Sequence, residues 1–278
     1  MLTSLLILGI QGKLLPVGTI ASDLVPEMSG IVKSEKFPNT YWVHNDSGDE
    51  PRFFAINKRG GLIQPTQSNY AGIRVEGAKA QDWEDIAYDK KFVYLADVGD
   101  NPNLRSEVVI YRVKEPNPLK ETSVKIESTI RIQYPDKVAG GPMYHDCEAV
   151  AVRGDVIYMV SKWREKGGIP GQGASLYRLK KWKKDKVNVL EKLDTKTDLG
   201  GWVTAADISP DGSKLAVLTQ APSQSVWVFD LKKGGKAFSN VVKHVKFTGG
   251  LQCEAICWNE SNEVLVGNEQ RQLYSLSL

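Results

Sequence analysis

Glu84-Asp-Ile-Ala-Tyr88 is an acid opening a short apolar run, and the pattern recurs along the chain. Its counterparts are Glu27-Met-Ser-Gly-Ile31, Glu148-Ala-Val-Ala-Val152, Asp207-Ile-Ser-Pro-Asp211 and Glu254-Ala-Ile-Cys-Trp258. Successive starts lie roughly 45–65 residues apart, the length of one four-stranded propeller blade with its loops. Each start is followed by the same two further runs. The second runs are Tyr41–Asn45, Phe92–Asp97, Val156–Val160, Lys214–Leu218 and Glu263–Gly267. The third are Arg52–Ile56, Val109–Val113, Ser175–Leu179, Ser225–Phe229 and Gln272–Leu276. All are short, rich in β-branched and aromatic residues, and bounded by Gly, Pro, Asn or Asp, which is strand chemistry.

Fourth runs are weaker, as in Thr129–Gln133 and Lys243–Phe247, and the fifth repeat stops at Leu278 without one. A spare strand, Leu14–Ile20, precedes the first repeat. Pairing it with the last repeat would close the ring and remove two exposed sheet edges. The expected fold is therefore all-β: a five-bladed β-propeller closed by an N-terminal strand, with six blades as the alternative count. Helical periodicity is nearly absent.

Composition is consistent with one propeller domain over residues 13–278. The chain is 41% hydrophobic, ample for a core, yet no stretch reaches the ~20 apolar residues of a membrane span. Residues 1–12 are expected to be a signal-like or flexible start. Met1–Ile10 is apolar, as in a signal-peptide core, but lacks a basic leader and a small-residue cleavage site. A signal would make the protein secreted or periplasmic; otherwise it is cytoplasmic. Cys147, Cys253 and Cys257 cannot form an all-disulfide framework, and two of them adjoin a repeat acid where small apolar residues fit.

Strand direction sorts the loops. The rim where the repeat acids begin, called the upper rim, also receives the second-to-third and fourth-to-first connections. The former include Asn45–Pro51, Asp97–Arg105 and Lys162–Gly173. Such loops on one face of a rigid ring are where function sits. The lower connections carry lysines, as in Lys180–Lys186 and Lys232–Lys236, so a net charge of +3 conceals an acidic upper and a basic lower face. No aromatic-interleaved basic groove points to nucleic acid.

Carboxylates converging on one axis repel one another unless a cation, a basic side chain, N–H donors or raised pKa values offset the repulsion. Ca²⁺ suits such a rim, because it takes six to eight oxygen ligands in loose geometry. The candidate metal ligands are Glu27, Asp46, Glu84, Asp97, Glu148, Asp207 and Glu254, with Asn45, Asp49, Asp100, Asn101, Asn268 and Glu269 in reach by topology. Zinc is disfavoured: His44, His145 and His244 share no ligand spacing. A structural alternative stands beside ligation, since an acid opening an inner strand can cap N–H groups of the neighbouring blade. Arg52, Arg105, Lys162 and Arg164 share the rim. His145, Arg52 and Arg105 are the catalytic candidates, as a base and two anion-holding groups. No nucleophile elbow or dinucleotide-binding glycine motif occurs.

The strings Trp42–Asp49, Asp82–Ala87, Asp97–Asn101 with Arg105, Ile110–Pro116, Asp146–Ala149, Thr204–Gly212 and Gln252–Ile256 resemble a group of bacterial propeller proteins of unassigned function related to phytase-like and esterase-like propellers. The resemblance implies a calcium-binding acidic rim at the seven candidate ligands named above. Five repeats against six, and no dense lysine and arginine lining, separate this chain from phytate hydrolysis itself. The expected function is a binding module with an acidic, calcium-binding upper face. The alternative is a calcium-dependent hydrolase of phosphate or carboxylate esters. The expected partner is a small anionic ligand or a protein, and the expected state is a monomer.

Overall fold

The structure is a computed structural model that describes residues 9–66, 69–138, 140–165, 168–232 and 236–278. The apolar start of the chain, through residue 8, lies outside the described residues. The fold is all-β: helix is confined, among the described residues, to one 3₁₀ turn at Ala237–Ser239. The strands form antiparallel meanders. The first runs through Met28–Lys33, Tyr41–Asn45, Arg52–Ile56 and Ile73–Glu76. The second runs through Trp83–Asp89, Phe92–Asp97, Val108–Lys114 and Ser123–Gln133. Two more begin at Asp146–Arg153 and Gly201–Ile208. The last comprises Cys253–Glu260, Glu263–Asn268 and Gln272–Ser277.

The leading strands Met28–Lys33, Trp83–Asp89, Asp146–Arg153, Gly201–Ile208 and Cys253–Glu260 pack side by side in that order, and the last returns to the first. Meanders radiating from such a circuit make a β-propeller. Leu15–Thr19 pairs antiparallel with Gln272–Ser277, supplying the fourth strand that the last meander lacks. Ile10–Gln11 adds a parallel edge strand beside Val241–Phe247, and Ile73–Glu76 pairs in parallel with Ser123–Gln133, fusing the first two meanders into one sheet.

Side chains from facing sheets fill the spaces between them. Trp42, Phe53, Phe54 and Ile73 are fully buried in one such layer. Tyr94, Ile130, Met159 and Tyr177 occupy the next. All three cysteines are buried and unpaired, as small core residues.

Each leading strand carries a register break at the same place. The breaks straddle Ser29, Glu84, Glu148, Thr204 and Glu254. A bulge of this kind leaves one residue unpaired and bends its strand. Hydroxyls at this position tie neighbours together: Ser29 Oγ donates to Glu84 O at 3.2 Å and Thr204 Oγ1 to Cys253 O at 2.7 Å.

This register corrects two of the sequence assignments. The first and fourth equivalents of Glu84 are Ser29 and Thr204, where Glu27 and Asp207 were expected. An acid marks the register in three of the strands, but a buried hydroxyl fills that position in the other two. Asp207 lies three residues further along, toward the lower rim, where its Oδ2 accepts Trp258 N–H at 2.8 Å. Asp85 likewise accepts Val150 N–H at 2.8 Å. Capping of the neighbouring strand, weighed as an alternative to ligation, is thus what Asp85 and Asp207 do.

Thr204→Val keeps the shape of the side chain and removes the hydroxyl from a fully buried acceptor. It should cost about 1–2 kcal/mol in urea unfolding. An unchanged midpoint would mean that the Thr204–Cys253 contact contributes nothing to closure.

Candidate functional site

The upper rim gathers Asp46, Asp82, Glu84, Asp146, Glu148, Glu254 and Glu269. Glu84 and Glu148 are buried at bulge positions, and Asp82 and Asp146 precede each by two residues. The Asp82 and Glu84 carboxylates lie against Gly99, where a Cβ would displace both from their present positions. Asp97, just before it, holds the loop rather than facing the axis. It receives Asp82 N–H at 3.2 Å and Gln81 N–H at 3.3 Å, and pairs with Arg105 at 2.8 Å. Asp100 caps the same loop through Leu104 and Arg105 N–H and pairs with Lys137.

The rim's charge is balanced on one side only. Lys162 forms a buried ion pair with Glu148, and Arg164 Nε lies 3.1 Å from Asp146 Oδ2. Both cations rest on Trp202, at 4.7 and 4.6 Å from its ring, which stabilises them further. Across the axis, Asp46, Glu254 and Glu269 place carboxylate oxygens within 4.8 Å of one another. None of the three has an ion-pair partner among the described residues. Gln220 Nε2 donates to Glu254 Oε1 at 3.0 Å.

Burial, with crowding, raises the pKa values. Burial, with Asp146 and Asp46 nearby, pushes Asp82 up to about 6. Burial, reinforced by Glu148, Asp146 and Asp46, raises Glu84 well above the carboxylate range. Burial lifts Glu148 to about 7 against the pull of Lys162. Burial and the Glu148 and Glu269 carboxylates lift Glu254 to about 9. Burial alone would lower the Lys162 pKa, but Glu148 and Asp146 outweigh it and hold the ammonium charged.

Of the seven expected ligands, Asp46, Glu84, Glu148 and Glu254 meet at this rim. Glu27 is exposed beside it, within electrostatic reach of Glu269. Asp97 is bound to Arg105, and Asp207 stands at the opposite end. Asp82 and Asp146 were not in that set. Their signal was the Asp-x-Glu pattern shared by Asp82-Trp-Glu84 and Asp146-Cys-Glu148.

The catalytic candidates do not converge. Arg52 brackets Asp49, with Nη2 2.6 Å from Oδ1, and donates to Ala71 O at 2.9 Å. Arg105 is held by Asp97 and Gly99 O. His145 is buried beside Tyr134, with Nε2 3.1 Å from Asp136, and its pKa is lowered chiefly by burial.

No known family model matches the chain, and neither does any curated protein. Among solved structures, one similar chain is the β-propeller domain of Myceliophteria thermophila Cps50 (Swd1). It is 9% identical, with 95% of this chain and 99% of that one covered and a TM-score of 0.45. Another is the C-terminal WD40 domain of Sif2, 12% identical, covering 90% and 69% at a TM-score of 0.37. The phytase-like and esterase-like resemblance has no counterpart in these two.

In an unfolded chain the rim glutamates would titrate near ~4.3. Their folded values are higher, so their contribution to stability is fully present below that pH. It is lost as pH rises through about 7 for Glu148 and about 9 for Glu254. Melting temperature should therefore fall from roughly pH 5 to pH 9, with the upper part of the fall flattened in Glu254→Gln. A profile that rises over this range would overturn the assignment.

Proposed function

We propose that the chain is a five-bladed propeller, closed by its N-terminal strand, that works as a binding module through its upper face. On this reading the open half of the rim takes a hard divalent cation, calcium being the expected ion, on Asp46, Glu254 and Glu269. The supporting observation is the asymmetry of charge. Lys162 and Arg164 neutralise the Asp146–Glu148 side, while the three mutually close carboxylates across the axis have no ion-pair partner among the described residues.

Three protein carboxylates do not complete the six to eight oxygens that calcium prefers. The remaining positions would be open to water or to an oxygen from outside. A carboxylate or phosphate on a small ligand or a partner protein could then complete the shell. Binding is favoured over ester hydrolysis because Arg52, Arg105 and His145 are each engaged away from the open carboxylates. A hydrolase would need a base and an anion-holding group facing the ion.

Calorimetric titration of chelator-stripped protein should give calcium binding with Kd at or below ~1 mM. In Glu254→Gln combined with Glu269→Gln, that heat should vanish while the far-ultraviolet spectrum is unchanged. Calcium should also raise the melting temperature most at alkaline pH, where these carboxylates are ionised and mutually repulsive. Absence of heat in the native protein up to millimolar calcium would leave the rim a purely structural feature.

A further inference from the structure

The lower end of the axis opens into a cavity of about 670 Å³. Its lining includes Val32, Tyr88, Asp207, Ile208 and Trp258, from four of the leading strands. A second lobe of about 360 Å³ shares Tyr88, Asp207 and Ile208 and reaches Arg153 on the remaining leading strand. The volume lies in the range of small-molecule sites, ~300–1,000 Å³.

The lining specifies a chemistry. Asp207 is a carboxylate with no ion pair among the described residues. Its two oxygens accept Ile208 N–H and Trp258 N–H, each at 2.8 Å. Burial pushes it up to about 7 against those two N–H groups, so an ammonium brought to it would favour its charged form. Val32, Ile208 and Trp258 give the wall an apolar stretch. Lys90 is exposed at the edge, without an ion pair among the described residues, and Lys33 is tied through Nζ to Asn259 O at 2.6 Å. Glu35 sits on the same edge. A ligand of one sign would meet both attraction and repulsion here, whereas a zwitterion satisfies both.

We propose that the lower mouth binds a small zwitterion of the amino-acid or short-peptide class. Asp207 holds its ammonium, Val32, Ile208 and Trp258 cover its apolar part, and Lys90 meets its carboxylate. The site is independent of the upper-rim reading, because Asp46, Glu254 and Glu269 take no part in it and Asp207 stands at the opposite end.

The test is saturation-transfer NMR on the full chain with L-leucylglycine as probe, beside the N-acetylated, C-amidated dipeptide that lacks both charges. Saturation should reach the free dipeptide and not the blocked one, with and without calcium. Asp207→Asn should weaken binding about tenfold or more, as for a buried charge pair. Lys90→Glu, an exposed change that leaves the core untouched, should weaken it roughly two- to fivefold. The proposal is overturned if the native protein shows no transfer, if the blocked dipeptide binds equally, or if both variants bind like the native protein. Should Asp207→Asn fail to fold, Lys90→Glu decides.

Discussion

Closure of the ring depends on one extra residue at the head of each leading strand. The strands meet around a narrow axis, and a regular ladder would leave no room to turn each one outward into its sheet. A bulge bends the strand and frees one residue from pairing. In two strands that residue is a hydroxyl bonded to the next strand's backbone. In the other three it is a glutamate. The same backbone irregularity therefore holds the ring together on some sides and charges it on others.

This explains why the acidic rim can exist at all. Glutamates confined to such a place carry an electrostatic penalty, which the protein offsets unevenly. Two basic residues backed by an indole ring compensate the Glu148 side. The Glu254 side keeps its burial penalty and its repulsion, expressed as protons retained toward alkaline pH.

Much of this was legible in the sequence. Runs such as Tyr41–Asn45 and Arg52–Ile56 are strands with the expected bounds, because short runs rich in β-branched and aromatic residues flanked by turn formers have few other options. The closing strand was legible from an arithmetic deficit, a fourth strand missing at one end and spare at the other. The fourth repeat was misplaced because charge was used as the register mark. Trp202-Val-Thr-Ala-Ala206 is apolar enough to be the leading strand, and its buried threonine does by hydrogen bonding what the eye seeks in an acid. Side-chain commitments were not legible either. Asp49 with Arg52, and Asp136 with His145, are pairings set by loops whose paths no periodicity encodes.

Joining the two ends of the chain in one sheet also has a temporal side. Gly18 sits opposite Leu273, so every residue between them must be made before that ladder forms. Contacts of such sequence separation demand a large loop-closure entropy before any stabilisation returns. Until then the last meander presents an unpaired strand edge, which is open to wrong partners.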